Sequence, residues 1–391
     1  MRRALSACAG AGLVLLAGCG MGASAGDGGG GPSAPPVSQA RILVTPRDGA
    51  RDVRPDAPFG VEVDQGTLTS VRAQDAEGHP VEGTISAGRQ IWRPTAERLA
   101  LSAKYTVDAY AVDADGRTAA KHAVFTTFVP RNTLIGYFSP EDGSTVGTGM
   151  IVSLTFNRPV TDRAAVQRAI SVTSVPAVEV APHWFGNQRL DFRPAAYWTP
   201  GTRVTLSLRL RDVEGAPGVY GRQSKDVGFT IGRDQRDIVD AEAHTMTVRR
   251  GGEVYRVLPV SAGAPSNPTY NGAMVISEKL PLTRMNGDTV GFGGEYDIPD
   301  VPHAMRLTRS GTFVHGSYWA ARSVFGRENT SHGCVGLFDV KGGGAETPAG
   351  WLFDHSLVGD VVEVVNSHDR TVSPDNGLGG WNLTWQQWLA G

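Results

Sequence analysis

Thr45-Pro46-Arg47-Asp48-Gly49 returns as Ser139-Pro140-Glu141-Asp142-Gly143, and this echo decides the architecture of the first half of the chain. Two further markers follow in the same order. Arg93-Pro94 after Ile91-Trp92 is answered by Arg193-Pro194 after Asp191-Phe192. Tyr105-Thr106-Val107-Asp108-Ala109-Tyr110 leads to Asp115-Gly116, as Val204-Thr205-Leu206-Ser207-Leu208 leads to Glu214-Gly215. The three markers recur 94 to 100 residues apart. Between them lie short Val/Thr/Leu-rich runs bounded by turn residues, the pattern of half-buried strands. A period of this length predicts two tandem antiparallel β-sandwiches, over 38–129 and 130–233.

Neither repeat contains a cysteine. The sandwiches therefore resemble bacterial immunoglobulin-like modules and not antibody domains. His79, His122 and His183 read as isolated from other candidate ligands, which favours a spacer over a binder of wall polymer. The composition supports a mainly β chain: 50 Gly, 24 Pro and 19% charged residues among 391. The net charge of −2 and the absence of any basic block argue against nucleic acid as a partner.

From Ile238 the pattern changes. Thr245-Met246-Thr247-Val248-Arg249-Arg250 and Glu253-Val254-Tyr255-Arg256-Val257-Leu258 flank Gly251-Gly252, a hairpin signal. Strands are expected at Ala273–Ser277, Thr312–Val314 and Val361–Val365. Thr347-Pro348 opens a helix, with Thr as cap and Pro in the first turn. Residues 238–366 form the third domain on this reading. In 367–391, Trp381, Trp385 and Trp388 fall on one stripe of a short helix, expected to dock on that third domain rather than stack on carbohydrate.

The N-terminus sets an address. Arg2-Arg3 precedes the apolar run Ala4–Ala17. That run is shorter than the ~20 residues of a membrane-spanning helix and fits a signal peptide. Leu16-Ala17-Gly18-Cys19 resembles a bacterial lipobox, which implies removal of 1–18 and lipidation of Cys19. Residues 19–37 then form a Gly/Pro-rich tether between membrane and protein. The expected location is the outer face of the cell membrane, in the periplasm or cell-wall space.

Once Cys8 and Cys19 are assigned to export, Cys334 is the remaining thiol, in Ser331-His332-Gly333-Cys334. An exported protein uses cysteines in pairs, and a lone one outside the cytoplasm is exposed to oxidation. A chemical role is the better explanation. A thiol nucleophile needs a base, an orienter for that base and donors for an oxyanion. His332 is two residues away, and His315 ends a strand-like run 19 residues earlier. Gly333 allows a tight turn that would aim the Gly333 and Cys334 N–H groups at an oxyanion.

Val314-His315-Gly316-Ser317-Tyr318-Trp319 followed by Asn329-Thr330-Ser331-His332-Gly333-Cys334-Val335 resembles the signature of the L,D-transpeptidases with a YkuD-type catalytic domain. Val275–Lys279, Gly359–Asn366 and Gly377–Trp388 resemble actinobacterial, mycobacterial-type members, as does the order of parts. The resemblance implies a Cys334 nucleophile and a His315 general base. It implies an acyl-enzyme formed from a tetrapeptide stem of peptidoglycan with loss of D-Ala. A second stem's diaminopimelate amine then resolves the thioester as a 3→3 cross-link. It further implies an oxyanion site and loop built from Ser331, His332, Gly333 and Gly316, and substrate contacts at Tyr296, Ser310, Gly311 and Gly336. It implies acylation by carbapenems, with no cofactor and no metal.

Two positions depart from the pattern. Gly336 stands where the family usually has Asn or Arg, and Gly316 where Ser is common. Other readings were weighed on the residues. A metal site at His303, His315, His332 and Cys334 lacks tight ligand spacing. A sortase would want an arginine soon after its cysteine, and the next is Arg370. A Cys/His endopeptidase or carboxypeptidase would hydrolyse the same thioester. A wall-binding lipoprotein with an inactive C-terminal domain would not need the His315/Cys334 pair.

Overall fold

The computed structural model describes residues 37–291 and 293–391. Cys8, Cys19, the expected signal peptide and nearly all of the expected tether lie outside the described residues. The chain is mainly β, as its composition and turn spacing predict.

The first body is a sandwich. One sheet has the order Arg41–Thr45, Gly60–Asp64, Ile91–Pro94, Gly83–Ile85. The other pairs Thr67–Gln74, Lys104–Val112 and Thr118–Thr126. The alternating strand Lys104–Val112 sends Tyr105, Val107, Ala109 and Ala111 inward. Phe59, Trp92, Tyr105 and Phe125 meet at its centre, with Tyr105 stacked on Phe125 at 5.3 Å.

The second body repeats the plan with larger sheets. Val180–Phe185, Arg189–Pro194, Val152–Phe156 and Gly136–Ser139 face Thr145–Val146, Ser224–Ile231, Arg203–Arg209 and Ile170–Val175. The recurring Asp-Gly has one structural job in both bodies. Asp48 Oδ1 accepts the Val124 N–H (2.8 Å), while the Gly49 N–H donates to Val124 O (2.8 Å). Asp142 Oδ1 accepts the Gly228 N–H (2.7 Å), while the Gly143 N–H donates to Gly228 O (2.7 Å). Gly49 and Gly143 hold φ of 74° and 73°, the left-handed region that favours glycine.

The third body has two sheets. One has the order Glu253–Pro259, Thr245–Arg250, Gln235–Asp240, Val361–Val365, Gly272–Val275. The other runs Glu278–Asn286, Asp297–Arg306, Phe313–Ser317, Val335–Phe338. Met246, Val248, Ile276, Met305, Val314, Val335, Leu337 and Val362 form the core between them. The helix Pro348–His355 begins at the expected cap: Thr347 Oγ1 accepts from the Gly350 N–H.

The tail corrects one expectation. Trp381, Trp385 and Trp388 do not dock as one helix on the third body. A short 3-10 turn, Gly379–Asn382, is followed by a separate helix, Trp385–Leu389, restarted by a capping box at Thr384. Trp388 is fully buried in the core of the second sandwich, and its indole N–H donates to Ala181 O (3.0 Å). The Trp381 indole donates to Gly149 O (2.7 Å). The tail also contacts the third body: Val372 lies in that body's core, Asn376 hydrogen-bonds Ser310, and Asn382 bonds both backbone groups of Ala273. The reason is the place of the buried apolar surface: the second sandwich, Val275 at the end of the third body's strand Gly272–Val275, and the tail's Leu378 and Trp388 share one core, so the tail finds its hydrophobic partners there.

Second sandwich and third body are thus one packed unit. The Gly147 N–H donates to Val358 O (2.8 Å) and the Gly149 N–H to Gly359 O (2.9 Å). Arg233 forms an ion pair with fully buried Asp360 (2.9 Å). Between first and second sandwich, Arg54 pairs with Glu214 (3.6 Å) and Phe128 packs on Tyr220 (5.9 Å).

The histidines of the sandwiches are less isolated than their spacing suggests. His122 bonds Asp108 (2.7 Å), and His183 bonds Trp388 O (2.8 Å). His79 lies with Asp75 and Glu77, ligand atoms within 4.8 Å of one another.

Candidate active site

The strand Phe313–Ser317 pairs in parallel with Val335–Phe338, with Val314 opposite Val335 and His315 opposite Gly336. Side chains alternate along a strand. His315 and Ser317 therefore share a face with Gly336 and, one step beyond the strand start, Cys334. All four line one cavity of about 270 Å³, together with Ser261, Met285, Tyr296, Ile298, Trp319, Phe325, Thr330, Ser331 and His332. A larger cavity, about 720 Å³, lies in the first sandwich, but its lining contains neither a thiol nor an imidazole. Chemistry selects the smaller one.

His315 is 5% exposed. Its Nδ1–H donates to Gly316 O (3.1 Å), and Ser317 Oγ lies 3.4 Å from the same nitrogen. That leaves Nε2 as the basic nitrogen. The ring stacks on Trp319 at 5.7 Å. Burial lowers the His315 pKa, and the bond to Gly316 O opposes this more weakly.

Cys334 is partly buried and free of any disulfide. Its Sγ accepts from the Phe313 N–H (3.4 Å), and its S–H points to Gly311 O (3.5 Å). No hydrogen bond joins Sγ to His315 in this conformation. Burial pushes the thiol up to about 11, with the Phe313 N–H acting in the opposite sense. Both shifts favour uncharged forms. The resting pair is a neutral thiol and a neutral imidazole lining one cavity.

Gly333 has φ of 108°, which a side chain would strain. Its N–H donates to Ser331 Oγ (3.2 Å), while Ser331 Oγ donates to Cys334 O (2.6 Å). Of the two N–H groups expected to serve an oxyanion, the Gly333 N–H is therefore engaged by Ser331, which leaves the Cys334 N–H. Asn329 explains its place in the signature: Oδ1 accepts the Ala262 N–H (2.8 Å) and Nδ2 donates to Ala241 O (2.8 Å). Thr330 N–H donates to Ser261 Oγ (3.1 Å). This run stitches the nucleophile loop to the neighbouring segment.

The expected substrate contacts divide between two cavities. Tyr296 and Gly336 line the cavity with His315. Ser310 and Gly311 line another of about 300 Å³ with Ser266, Asn267, Tyr270, Thr312 and Asp369. His332 belongs to both, held by Glu295 (3.0 Å) and packed on the Tyr296 ring at 5.0 Å. The Tyr296 phenol is pushed up to about 12 by burial first, then by the charge of a Cys334 thiolate and of Glu295.

Both glycine departures have a structural reason. A Cβ on Gly336 would lie 2.8 Å from Ser317 Oγ, so Ser317 supplies the polar group on that wall. A Cβ on Gly316 would lie 2.2 Å from Asp339 Oδ2. Sequence reasoning missed the roles of Ser317 and Asp339. Ser317 was legible only through strand alternation from His315. His303, His315, His332 and Cys334 do not bring their ligand atoms together; among the described residues such a cluster is formed by Asp75, Glu77 and His79.

Residues 234–364 match the L,D-transpeptidase catalytic domain family, and residues 50–214 match the bacterial Ig domain family. L,D-transpeptidase 2 of Mycobacterium tuberculosis is 34% identical over 356 residues, covering 90% of this chain and 84% of the relative. L,D-transpeptidase 5 of the same species is 30% identical over 362 residues, covering 91% of this chain and 77% of the relative. The solved structure of an LD transpeptidase, LdtMt1, in complex with imipenem is 32% identical with a TM-score of 0.50, covering 60% of this chain and 100% of that one.

Proposed function

The chain belongs to the L,D-transpeptidase family, and from that premise we propose that Cys334 and His315 perform the acyl transfer that builds 3→3 cross-links in peptidoglycan. One observation carries the assignment of residues: thiol and imidazole stand on one face of two paired strands and open into one cavity.

The reaction follows from the geometry. Cys334 Sγ attacks the carbonyl between diaminopimelate and the terminal D-Ala of a donor tetrapeptide, as His315 Nε2 takes the thiol proton. The oxyanion forms against the Cys334 N–H. Its collapse breaks the C–N bond, and His315 returns the proton to the departing D-Ala amine, leaving a thioester. The side-chain amine of an acceptor stem then attacks the thioester. His315 takes its proton and passes it to the leaving thiolate, so an amide forms and the free thiol is restored. The imidazolium exists only during the transfer, consistent with the burial that disfavours it at rest.

Incubating residues 37–391 with disaccharide-tetrapeptide tests the reading. The expected products are free D-Ala and a covalent dimer, and Cys334→Ala should lose both. Dimer formation by that variant would refute the nucleophile. Hydrolysed tripeptide without dimer would make the protein a carboxypeptidase. A carbapenem should add one adduct at Cys334.

The acid limb provides a pH check. A lowered His315 pKa keeps the base neutral below the ordinary imidazole value of about 6.5. Acylation should therefore hold its rate below that pH and fall only at lower values. A limb centred at or above it would contradict the buried base. Cys19 is proposed as the lipid anchor outside the membrane, with incorporation of labelled fatty acid, lost in Cys19→Ala, as its test.

A further inference from the structure

Behind the catalytic pair, on the face of the sheet away from the cavity, lies a histidine–carboxylate pair that the reaction above does not use. Asp339 directly follows the strand Val335–Phe338 and is 1% exposed. Its Oδ1 accepts the Val340 N–H (2.8 Å), the Gly344 N–H (2.9 Å) and the Thr347 hydroxyl (3.0 Å), fixing the loop that leads into Pro348–His355. Its Oδ2 accepts from His303 Nδ1 (2.7 Å) on the strand Asp297–Arg306. His303 holds φ of 51°, and its ring packs on Phe353 at 5.2 Å.

The same Oδ2 lies 2.2 Å from where a Gly316 Cβ would be. The carboxylate thus fills the side-chain position of the residue whose carbonyl orients the base. Glycine is the most freely rotating residue in a backbone. A glycine peptide next to a general base needs something to hold it, because a small misplacement of a catalytic group can cost about 10²-fold in rate. One carboxylate oxygen would suffice for the loop. The second is fixed by His303 and rests against Gly316.

We propose that His303 and Asp339 form a positioning pair for His315. It pins the Gly316 peptide so that its carbonyl faces His315 Nδ1–H and Nε2 stays the proton acceptor for Cys334. The pair touches no substrate and acts through the Gly316 backbone. The inference rests on the reading of Cys334 and His315 as the reacting groups.

The test compares His303→Gly with His303→Asn. Both residues accept a left-handed φ, and only Asn carries a donor for Asp339 Oδ2. The readouts are the saturating rate and half-saturating concentration for Cys334 acylation by imipenem, followed by mass spectrometry, with the melting temperature of each variant. His303→Gly should lower the saturating rate about tenfold at unchanged half-saturation. His303→Asn should return it to within about threefold of wild type. A His303→Gly variant at the wild-type rate overturns the proposal, and so does a His303→Asn variant as slow as His303→Gly. If His303→Gly does not fold, Asp339→Asn decides. It keeps the Oδ1 contacts to the loop, and should be about tenfold slower; a wild-type rate overturns the proposal. Wild-type protein that takes no adduct refutes the Cys334 assignment itself and the positioning role with it.

Discussion

Arg93 and Arg193 occupy the same place in the two repeats, each between a buried aromatic residue and a proline, and they meet opposite fates. The Arg93 side chain is 53% exposed and pairs with Glu62 (2.6 Å) at the surface. Arg193 is 1% exposed. Its guanidinium lies 4.6 Å from the Trp381 ring, 5.5 Å from Trp385 and 4.5 Å from Trp388, and donates to Leu383 O (2.9 Å). Burial pulls its pKa down to about 10. The local sequence is nearly the same, and the difference is the C-terminal tail. It lies over the second sandwich and leaves the first alone. Two copies of one module thus became a self-contained outer body and an inner body fused to the enzyme.

The strongest way to break this comparison is Trp388→Ala. It removes the largest fully buried side chain of the fused core and should cost about 3–5 kcal/mol. Denaturant unfolding should show second sandwich and catalytic domain melting together. Trp92→Ala, at the centre of the first sandwich, should cost a similar amount yet leave Cys334 acylation unchanged. Loss of acylation there would mean the outer body is also coupled to the site.

Next in size is the arginine pair itself. Arg193→Ala should cost about 3 kcal/mol, through lost ring contacts and carbonyl bonds. Arg93→Ala should cost less than about 1 kcal/mol, as exposed ion pairs do. Equal costs would remove the distinction.

The joint between the inner sandwich and the catalytic domain has its own pH signature. Asp237 is fully buried, its Oδ1 lacks a hydrogen-bond partner, and burial together with nearby Asp360 pushes it up to about 8. Burial also pushes Asp360 up to about 6, against the pull of Arg233. A carboxyl with a raised folded pKa stabilises fully below its unfolded value of 3.8, and that contribution is lost as pH rises through about 8. Asp237→Asn should therefore raise the melting temperature more at pH 9 than at pH 5. A gain that is equal at both would show that Asp237 is not protonated in the fold.

The smallest expected effect is at the outer joint. Arg54→Ala removes a half-exposed pair with Glu214 and should change stability by less than about 0.5 kcal/mol.

Much of this was legible from residues alone. The Pro-x-Asp-Gly echo marked both sandwiches because its carboxylate and glycine do local work, a bond to one opposite residue and a left-handed turn. The Gly251-Gly252 hairpin and the Thr347-Pro348 helix start were legible for the same reason. The nucleophile and base could be picked out because thiol and imidazole are few and the signature around them is dense. The roles of Gly316 and Gly336 could not be read, because a missing side chain says nothing of what fills its space. Asp339 and Ser317 fill it, and neither is marked by local pattern. The docking side of Trp388 was equally hidden. Spacing along a helix reports which residues share a stripe, not which body the stripe meets.

The sequence by itself determined the repeat, the strand-rich class, and the cysteine and histidine proposed to carry the chemistry, since each depends on short-range geometry or on scarce reactive groups. Only the tertiary structure decided that the tail joins the inner sandwich to the enzyme. It also decided that a carboxylate from beyond the cysteine strand stands behind the base. Burial of apolar surface and the pairing of buried charge are settled between segments far apart in the chain, and no local run of residues records their outcome.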